Sequence, residues 1–456
     1  MKAMSLREIA AACGGHFYGD ESKLNLHVTG VAIDSRKIED GYLFVPMKGA
    51  RVDGHSFIPQ VMEKGALCTL SEQPLAKPYT YILVDSCKQA LKSLAEHYRK
   101  SLDIKVVGIT GSVGKTSTKE MIASVLSQKY NVLKTAGNFN NEIGLPLTIF
   151  NIREEHQVAV LEMGISDFEE MHRLAKMARP DICVITNIGL CHLENLIDRD
   201  GILKAKTEMF DYAQPNAKFI LNGDDDKLIT VKNWDGYKPL YFGLSTDFAA
   251  FADDIQSLSL KGTACTLHLG NEAIQTIIPI PGHHMVYNAL AGALVGQELG
   301  LNAAEIKAGI ESLTPVSGRN NMIATDSLLI IDDCYNANPV STKASLDVLA
   351  TADSRKIAIL GDMFELGEKE KELHYEVGKH AAEKEIDLVI CIGELSKETA
   401  KGASYSNSTV YHFETKADFL AKANTLLQKG DAVLVKASHG MEFPEIIEKL
   451  QEVTLI

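Results

Sequence analysis

Four residues in one short stretch have the types and spacing to hold a phosphate: Gly111, Gly114, Lys115 and Thr116. They lie in Val106-Val107-Gly108-Ile109-Thr110-Gly111-Ser112-Val113-Gly114-Lys115-Thr116-Ser117. There an apolar, β-branched run meets a glycine turn, and a helical pattern continues through Met121, Ile122, Val125 and Leu126. Strand, glycine loop and helix in that order are the setting a phosphate loop needs. Gly111 and Gly114 let the backbone approach an anion with no Cβ in the way. The N–H groups at the helix start and the Lys115 ammonium then face it. Thr116 can offer its hydroxyl to a magnesium ion bridging phosphates. Only Ser112 and Val113 separate the glycines, where the general pattern has four residues. The shortened loop, Thr110 to Thr116, counts against an ordinary GTPase or kinase. A glycine turn with a solvated lysine is the plainer alternative, and the agreement of the three signals weighs against it.

Other chemically capable groups stand at the ends of apolar runs. Val158–Leu161 reads as a buried strand ending in Glu162, a carboxylate placed to hold magnesium beside a phosphate loop, or else to cap the next turn. Ile182–Ile185 leads into Thr186–Glu194, with His192 just past the strand; a lone histidine is more often structural. Asn138, Asn140 and Asn141 crowd a segment that makes a poor helix or strand and a good polar ligand loop. The helical pattern Ile202–Phe210 carries Lys204 and Lys206, both read as solvated. Gly282–Asn288 precedes an alanine-rich helix from Ala289 to Leu299.

These pieces need an α/β fold, and the pattern divides into three domains at 1–101, 102–314 and 315–456. The first is small: Ser5 starts a helix that Gly14-Gly15 stops, and short strand runs follow at Val28–Ile33, Tyr42–Val45, Ala66–Leu70 and Tyr81–Val84. At their ends lie Asp34-Ser35-Arg36 and the segment from Lys48 to His55, where Arg36, Lys48 and Arg51 are locally cationic. Ligand loop and solvated loop both remain open there. Thr314–Gly318 marks the second boundary. Beyond it, strand runs at Leu328–Ile331, Ile357–Leu360, Leu388–Ile392 and Ala432–Val435 alternate with helices. Such alternation implies a largely parallel sheet covered on both faces. No G-x-G-x-x-G follows these strands, so a dinucleotide site gains no support.

Composition sets outer bounds. Lys+Arg 46 against Asp+Glu 60 gives a net charge of −14, which argues against nucleic acid and against an anionic membrane surface. The start of the chain shows no signal-peptide pattern and no run is long enough to insert into a bilayer, so a cytoplasmic protein is expected. The 8 cysteines are scattered without paired short spacings, as reduced thiols would be.

Taken together, Thr110–Ser117, Asn138–Pro146, Glu162-Met163-Gly164, Asn187–Glu194, Ala205-Lys206, Gly282–Asn288, Gly318-Arg319 and Asp333–Pro339 resemble the Mur ligases. These are the ATP-dependent amide-bond ligases of peptidoglycan precursor synthesis. Asp34-Ser35-Arg36, Lys48-Gly49, Asp53-Gly54-His55 and Leu360-Gly361-Asp362-Met363 are similar to members that join UDP-N-acetylmuramoyl-tripeptide to D-alanyl-D-alanine. The resemblance implies a UDP-substrate-binding first domain, a central ATP-binding domain with a mostly parallel sheet of the phosphate-loop type, and a Rossmann-like third domain. It implies ATP bound by Thr110, Gly111, Ser112, Val113, Gly114, Lys115 and Thr116, with Asn288, Tyr335 and Asn336 flanking adenine and ribose. Arg319 would reach the γ-phosphate. Ser35, Arg36 and Lys48, with Asn138 and Asn140, would hold the UDP-substrate. Asn338, Ser438 and His439 would meet the dipeptide. Two magnesium ions are expected on Thr116, Glu162, His192 and Lys206, the last of these carbamylated. Lys115, His192, Lys206 and Arg319 would serve the catalysis, in a monomer. His283, Met285, Ser317 and Cys191 depart from the family's usual wording. A folylpolyglutamate-type ligase shares the chemistry, but a whole domain ahead of the phosphate loop counts against it. A nucleotide-binding switch would need neither the asparagine loop nor His192 and Lys206.

Overall fold

The structure, a computed structural model, describes every residue except Ala50, Ser406 and Ile456. Local signals fix many element ends. Ser5 and Glu8 form a reciprocal capping box for α1 (Leu6–Cys13), and Gly14 closes it with φ 63°. Strands β1 (His16–Tyr18), β2 (Gly30–Ala32), β3 (Tyr42–Phe44), β4 (Cys68–Ser71) and β5 (Tyr81–Leu83) make a sheet of order β1-β5-β4-β3-β2, parallel apart from β1. Helix α2 (Cys87–Lys100) leads to β6 (Lys105–Thr110), and the glycine loop then opens α3 (Lys115–Leu126). There follow β7 (Val132–Lys134), β8 (Val158–Glu162), α4 (Glu170–Ala178), β9 (Ile182–Ile185), α5 (Arg199–Thr207) and β10 (Lys218–Asn222).

Next come β11 (Leu240–Gly243), β12 (Ala250–Ser257), β13 (Thr263–Leu269) and β14 (Glu272–Ile278), then α6 (His284–Glu298) and α7 (Ala303–Glu311). The last part holds β15 (Asn321–Ala324), β16 (Leu329–Asp332), α8 (Pro339–Ala350), β17 (Lys356–Gly361), α9 (Glu370–Glu383), β18 (Leu388–Ile392), β19 (Thr409–Phe413) and β20 (Ala432–Lys436).

The chain forms two densely packed units, and their boundary passes through β9 and β10. The first holds Met1–Thr110, Tyr130–Val184 and Lys206–Phe219; the second holds Gly111–Lys129, Ile185–Ala205 and Ile220–Ile456. In the first, β8 pairs in parallel with both β6 and β7, which sets Glu162 opposite Ile109 at the carboxyl ends of the strands. In the second, α6 brings Gly292 and Gly296 against α3: a Cβ at either would stand 2.9 Å from Met121 or Val125. The helix that carries Lys115 is thereby held close to its neighbour.

Two antiparallel features of the second unit fill out the expected, mostly parallel pattern. After the parallel pairs β10–β11 and β11–β12, strands β12, β13 and β14 run antiparallel, joined between β13 and β14 by the two-residue turn Gly270-Asn271. The terminal sheet, order β15-β16-β20-β17-β18-β19, is parallel except for the antiparallel edge strand β15. Its core has Leu346, Leu349 and Val377 in one cluster and Phe413, Phe419 and Phe443 in another.

Candidate nucleotide cleft

The segment after β9 shapes the glycine loop. Val113 N donates to Asn187 Oδ1 at 2.9 Å, and Asn187 Nδ2 returns a bond to Val113 O at 2.9 Å. The Thr186 hydroxyl donates to the same carbonyl at 2.6 Å, and Ser112 N donates to Asn187 O at 3.0 Å. Gly111 has φ 150°, and a Cβ there would run into the Thr186 hydroxyl. Gly114 stands at the start of α3 with φ 84°, and no side chain caps that end. A helix start without a side-chain cap is where an anion binds best. Lys115 Nζ donates to Gly111 O at 2.8 Å and to Ser112 O at 3.5 Å, so the ammonium already lies along the loop. Cys191, a departure from the family wording, gives its thiol to Ser112 Oγ at 3.2 Å, and Ser112 Oγ also accepts from Gly189 N at 2.9 Å.

An open cleft borders this loop. Val113, Gly114, Asn187, Asn288, Arg319 and Lys436 are among its walls. Asn288 is buried; its Oδ1 accepts from the Thr118 hydroxyl at 2.9 Å and its Nδ2 donates to Met285 Sδ at 3.2 Å. It therefore fastens α6 to α3 as well as facing the cleft. Met285 supplies an acceptor at that contact. Arg319 lies over the Tyr335 ring, 4.1 Å from its centroid, and its Nη2 is 3.5 Å from Thr116 Oγ1. A cation held by an aromatic face is pre-set for an anion at the loop.

The far wall is a buried polar cluster that the pattern of residue types does not single out. Lys436 Nζ donates to Asp333 Oδ2 at 2.6 Å and to Asn336 O at 3.0 Å; Ser345 Oγ donates to the same carboxylate oxygen at 2.5 Å. Asn320, buried with φ 48°, donates its backbone N–H to Asp333 Oδ1 at 3.2 Å, and its Nδ2 lies 3.3 Å from His284 Nε2. Burial pushes the His284 pKa down, which keeps the ring neutral and its Nε2 able to accept. Asp333 and Lys436, each just past a strand run, were visible signals; Asn320 and Ser345 had none.

Several expected site residues are used inside the fold. Asn338 is the N-cap of α8 in a capping box with Ser341. The buried Ser438 accepts at Oγ from Phe364 N at 2.8 Å. Asn336 Oδ1 accepts from His439 N at 3.3 Å, and the His439 ring lies 5.4 Å from that of Tyr335. His192 has φ 52°, and its Nδ1 is 3.3 Å from the Glu365 carboxylate.

In the first unit, the Asn140 Nδ2 donates to Glu162 Oε1 at 2.9 Å, and the buried Glu162 donates its backbone N–H to Thr135 Oγ1 at 3.0 Å. Asn140 thus orients a carboxylate. Asn138 is exposed beside it, its carbonyl accepting from Asn140 N at 2.7 Å. Glu142, in the same loop, is gripped by Lys92 at 2.8 Å and Arg173 at 2.6 Å. Burial alone would raise its carboxyl, but these bonds and charges outweigh it and hold it at about 2. Lys206 corrects the reading of a solvated helix lysine: it is 1% exposed, because Ile202, Ala205 and Lys206 share the inward stripe of α5.

The cationic loops near the N-terminus are neutralised locally. The Arg36 fork takes the Asp34 carboxylate, 2.8 Å at its shortest, and holds that carboxyl at about 2. Lys48 pairs with Glu72 at 2.5 Å. The Ser35 carbonyl accepts from Lys64 Nζ at 3.2 Å. Among the described residues no three His, Cys, Asp or Glu side chains converge as a metal cage.

Residues 27–99 match the Mur ligase family catalytic domain, 109–296 the Mur ligase middle domain and 318–439 the glutamate ligase domain of the Mur ligases. UDP-N-acetylmuramoyl-tripeptide–D-alanyl-D-alanine ligase of Bacillus subtilis is 39% identical over 435 residues, 93% of each chain. The chain belongs to the Mur ligase family. The Escherichia coli ligase of the same name is 32% identical, over 99% of each chain. Among solved Mur ligases, a crystal structure of MurF from Acinetobacter baumannii superposes with a TM-score of 0.92 at 30% identity, covering 99% of this chain and 100% of that one. MurF from Thermotoga maritima in complex with ADP gives 0.83 at 29% identity, covering 93% and 97%. The three-domain α/β architecture of this Mur ligase is that of those structures.

Proposed function

We propose that this protein is the ATP-dependent ligase that joins D-alanyl-D-alanine to UDP-N-acetylmuramoyl-tripeptide, completing the peptide of a peptidoglycan precursor. One observation carries the reading: in a chain that matches a ligase relative over 93% of each, the cleft unites a glycine loop with Arg319, which comes from beyond the middle-domain match. A carboxylate does not acylate an amine unaided, because oxide would have to leave. Here the terminal carboxylate of the tripeptide attacks the γ-phosphorus, ADP departs and an acyl phosphate forms. The dipeptide amine attacks that carbonyl, and the C–O bond breaks with its electrons going to phosphate.

Each group of the chain answers one need of this sequence. The α3 start and Lys115 receive triphosphate, and Arg319 stabilises the transferring group from the opposite wall. Asn288, Tyr335 and Asn336 flank adenine and ribose, with Met285 below Asn288. Ser35, Arg36 and Lys48 hold the uridine diphosphate end after exchanging their local partners for it, and Asn138 and Asn140 contact the sugar-peptide. His439 meets the dipeptide, while Asn338 and Ser438 set the backbone around it. Thr116, Glu162, His192 and Lys206 would hold two magnesium ions, which supply charge neutralisation on the phosphates. Lys206 would do so as a carbamate: an ammonium repels a cation at 4 Å by about 4 kcal/mol per charge pair at a surface-like dielectric. Carbon dioxide adds to the neutral amine with loss of a proton, replacing +1 by −1. Buried as it is, Lys206 would keep that group from water. We place the enzyme in the cytoplasm as a monomer of three domains, 1–101, 102–314 and 315–456. No helix among the described residues is long and apolar enough to cross a membrane.

ADP release measured with ATP alone, with either substrate and with both tests the reading. Sustained release that needs both substrates is expected; equal release with neither would overturn it.

A further inference from the structure

β17 ends in a segment that the fold pins residue by residue. The Asp362 carboxylate accepts from Ser396 N at 2.7 Å, Met363 N donates to His374 Nε2 at 2.9 Å, and Phe364 N donates to Ser438 Oγ at 2.8 Å. The chain then turns at Glu365 with φ 61°, a conformation uncommon for a residue with a Cβ. The turn leaves the Glu365 carboxylate 69% exposed and directs it to His192 Nδ1, 3.3 Å away. Phe364 beside it is 43% exposed, an apolar face next to the charge.

Apart from the magnesium ions proposed on His192, the phosphoryl-transfer half of the reaction offers a carboxylate there no cationic partner. Triphosphate, the tripeptide carboxylate and the acyl phosphate are all anions that Glu365 would repel. The cationic reactant is the dipeptide, which arrives with an ammonium group. We propose that Glu365 binds that ammonium and aims the nitrogen at the acyl phosphate, with Phe364 offering its ring to an alanyl methyl group; the ammonium gives one proton to water, the freed lone pair forms the C–N bond, the C–O bond breaks towards phosphate, and phosphate carries off the second proton. The inference rests on the ligase reading given above. Ser438 is then a positioning residue, acting through Phe364 N, and Glu365 determines specificity for the charged amine over water and neutral nucleophiles. A charge-assisted hydrogen bond of this kind favours the dipeptide by about 10- to 100-fold.

Hydroxylamine, a nucleophile uncharged at mildly alkaline pH, separates this role from a structural one, because it captures the acyl phosphate as a hydroxamate without needing an ammonium site. With ATP and UDP-N-acetylmuramoyl-tripeptide, Glu365→Gln should raise the KM for D-alanyl-D-alanine about 10- to 100-fold. The ratio of dipeptide product to hydroxamate should fall by a similar factor. Glu365→Asp should recover part of that ratio. Equal loss of both products in Glu365→Gln, or a dipeptide KM within twofold of the wild type, would overturn the proposal. A wild-type protein that makes neither product fails earlier, at the ligase reading, and the proposal falls with it.

Discussion

Gly111→Ala offers a test whose size can be worked from the loop itself. The residue has φ 150°, and its Cβ would run into the Thr186 hydroxyl. Thr186 cannot simply turn away, because that hydroxyl donates to Val113 O at 2.6 Å. The substitution therefore combines backbone strain of about 1–3 kcal/mol with a displaced hydrogen bond of about 1 kcal/mol. Together they disfavour the observed loop by about 2–4 kcal/mol, and nucleotide affinity falls by the fraction of loops left competent, about 30- to 1000-fold. Gly114→Ala is the internal control. Its φ of 84° is also unfavourable, but nothing lies closer than 3.8 Å to the added Cβ. Strain of about 1–2 kcal/mol alone gives about 5- to 30-fold. Calorimetric titration with a non-hydrolysable ATP analogue reads both. Equal losses, or a Gly111→Ala protein binding within twofold of wild type, would refute the steric argument.

Lys115→Ala should cut ligation about 10²–10³-fold in a protein with an unchanged circular dichroism spectrum; near-normal turnover would remove the loop's assignment. Arg319→Ala should lower turnover steeply with little change in UDP-substrate affinity, measured by titration; a matching loss of that affinity would place Arg319 elsewhere. Lys206→Ala should be nearly inactive and partly rescued by formate, and a crystal structure should show extra density on the wild-type Lys206 nitrogen. A fully active Lys206→Gln would exclude the carbamate. Glu142 has a carboxyl lowered from 4.5 to about 2, so its contribution to stability is present above 4.5 and lost as pH falls towards 2. The gap in Tm between wild type and Glu142→Gln should shrink over that window; a constant gap would show that Lys92 and Arg173 do not act through its charge.

The glycine loop was legible because its strand, turn and helix are local and agree. Glu162 was placed at a strand end for the same reason. The antiparallel strands β12 to β14 went unread, although Gly270-Asn271 between two alternating runs is a hairpin signal. Lys206 was misread because charge was weighed above its i+4 spacing from Ile202, and only packing decides which face of a helix is inward. Asn338 shows how a family motif can carry a local duty, here a helix cap, inside an expected binding loop. Asn320 and Lys436 meet Asp333 only through tertiary structure, from 13 and 103 residues away, so no window of sequence could join them.

The central claim is that this chain makes one amide bond between two named substrates at the cost of one ATP. Mass spectrometry of the products from ATP, UDP-N-acetylmuramoyl-tripeptide and D-alanyl-D-alanine tests it most directly. The account predicts a single new UDP-linked pentapeptide formed in equal amount with ADP and phosphate. ADP accumulating while the UDP-tripeptide mass stays unchanged would contradict it.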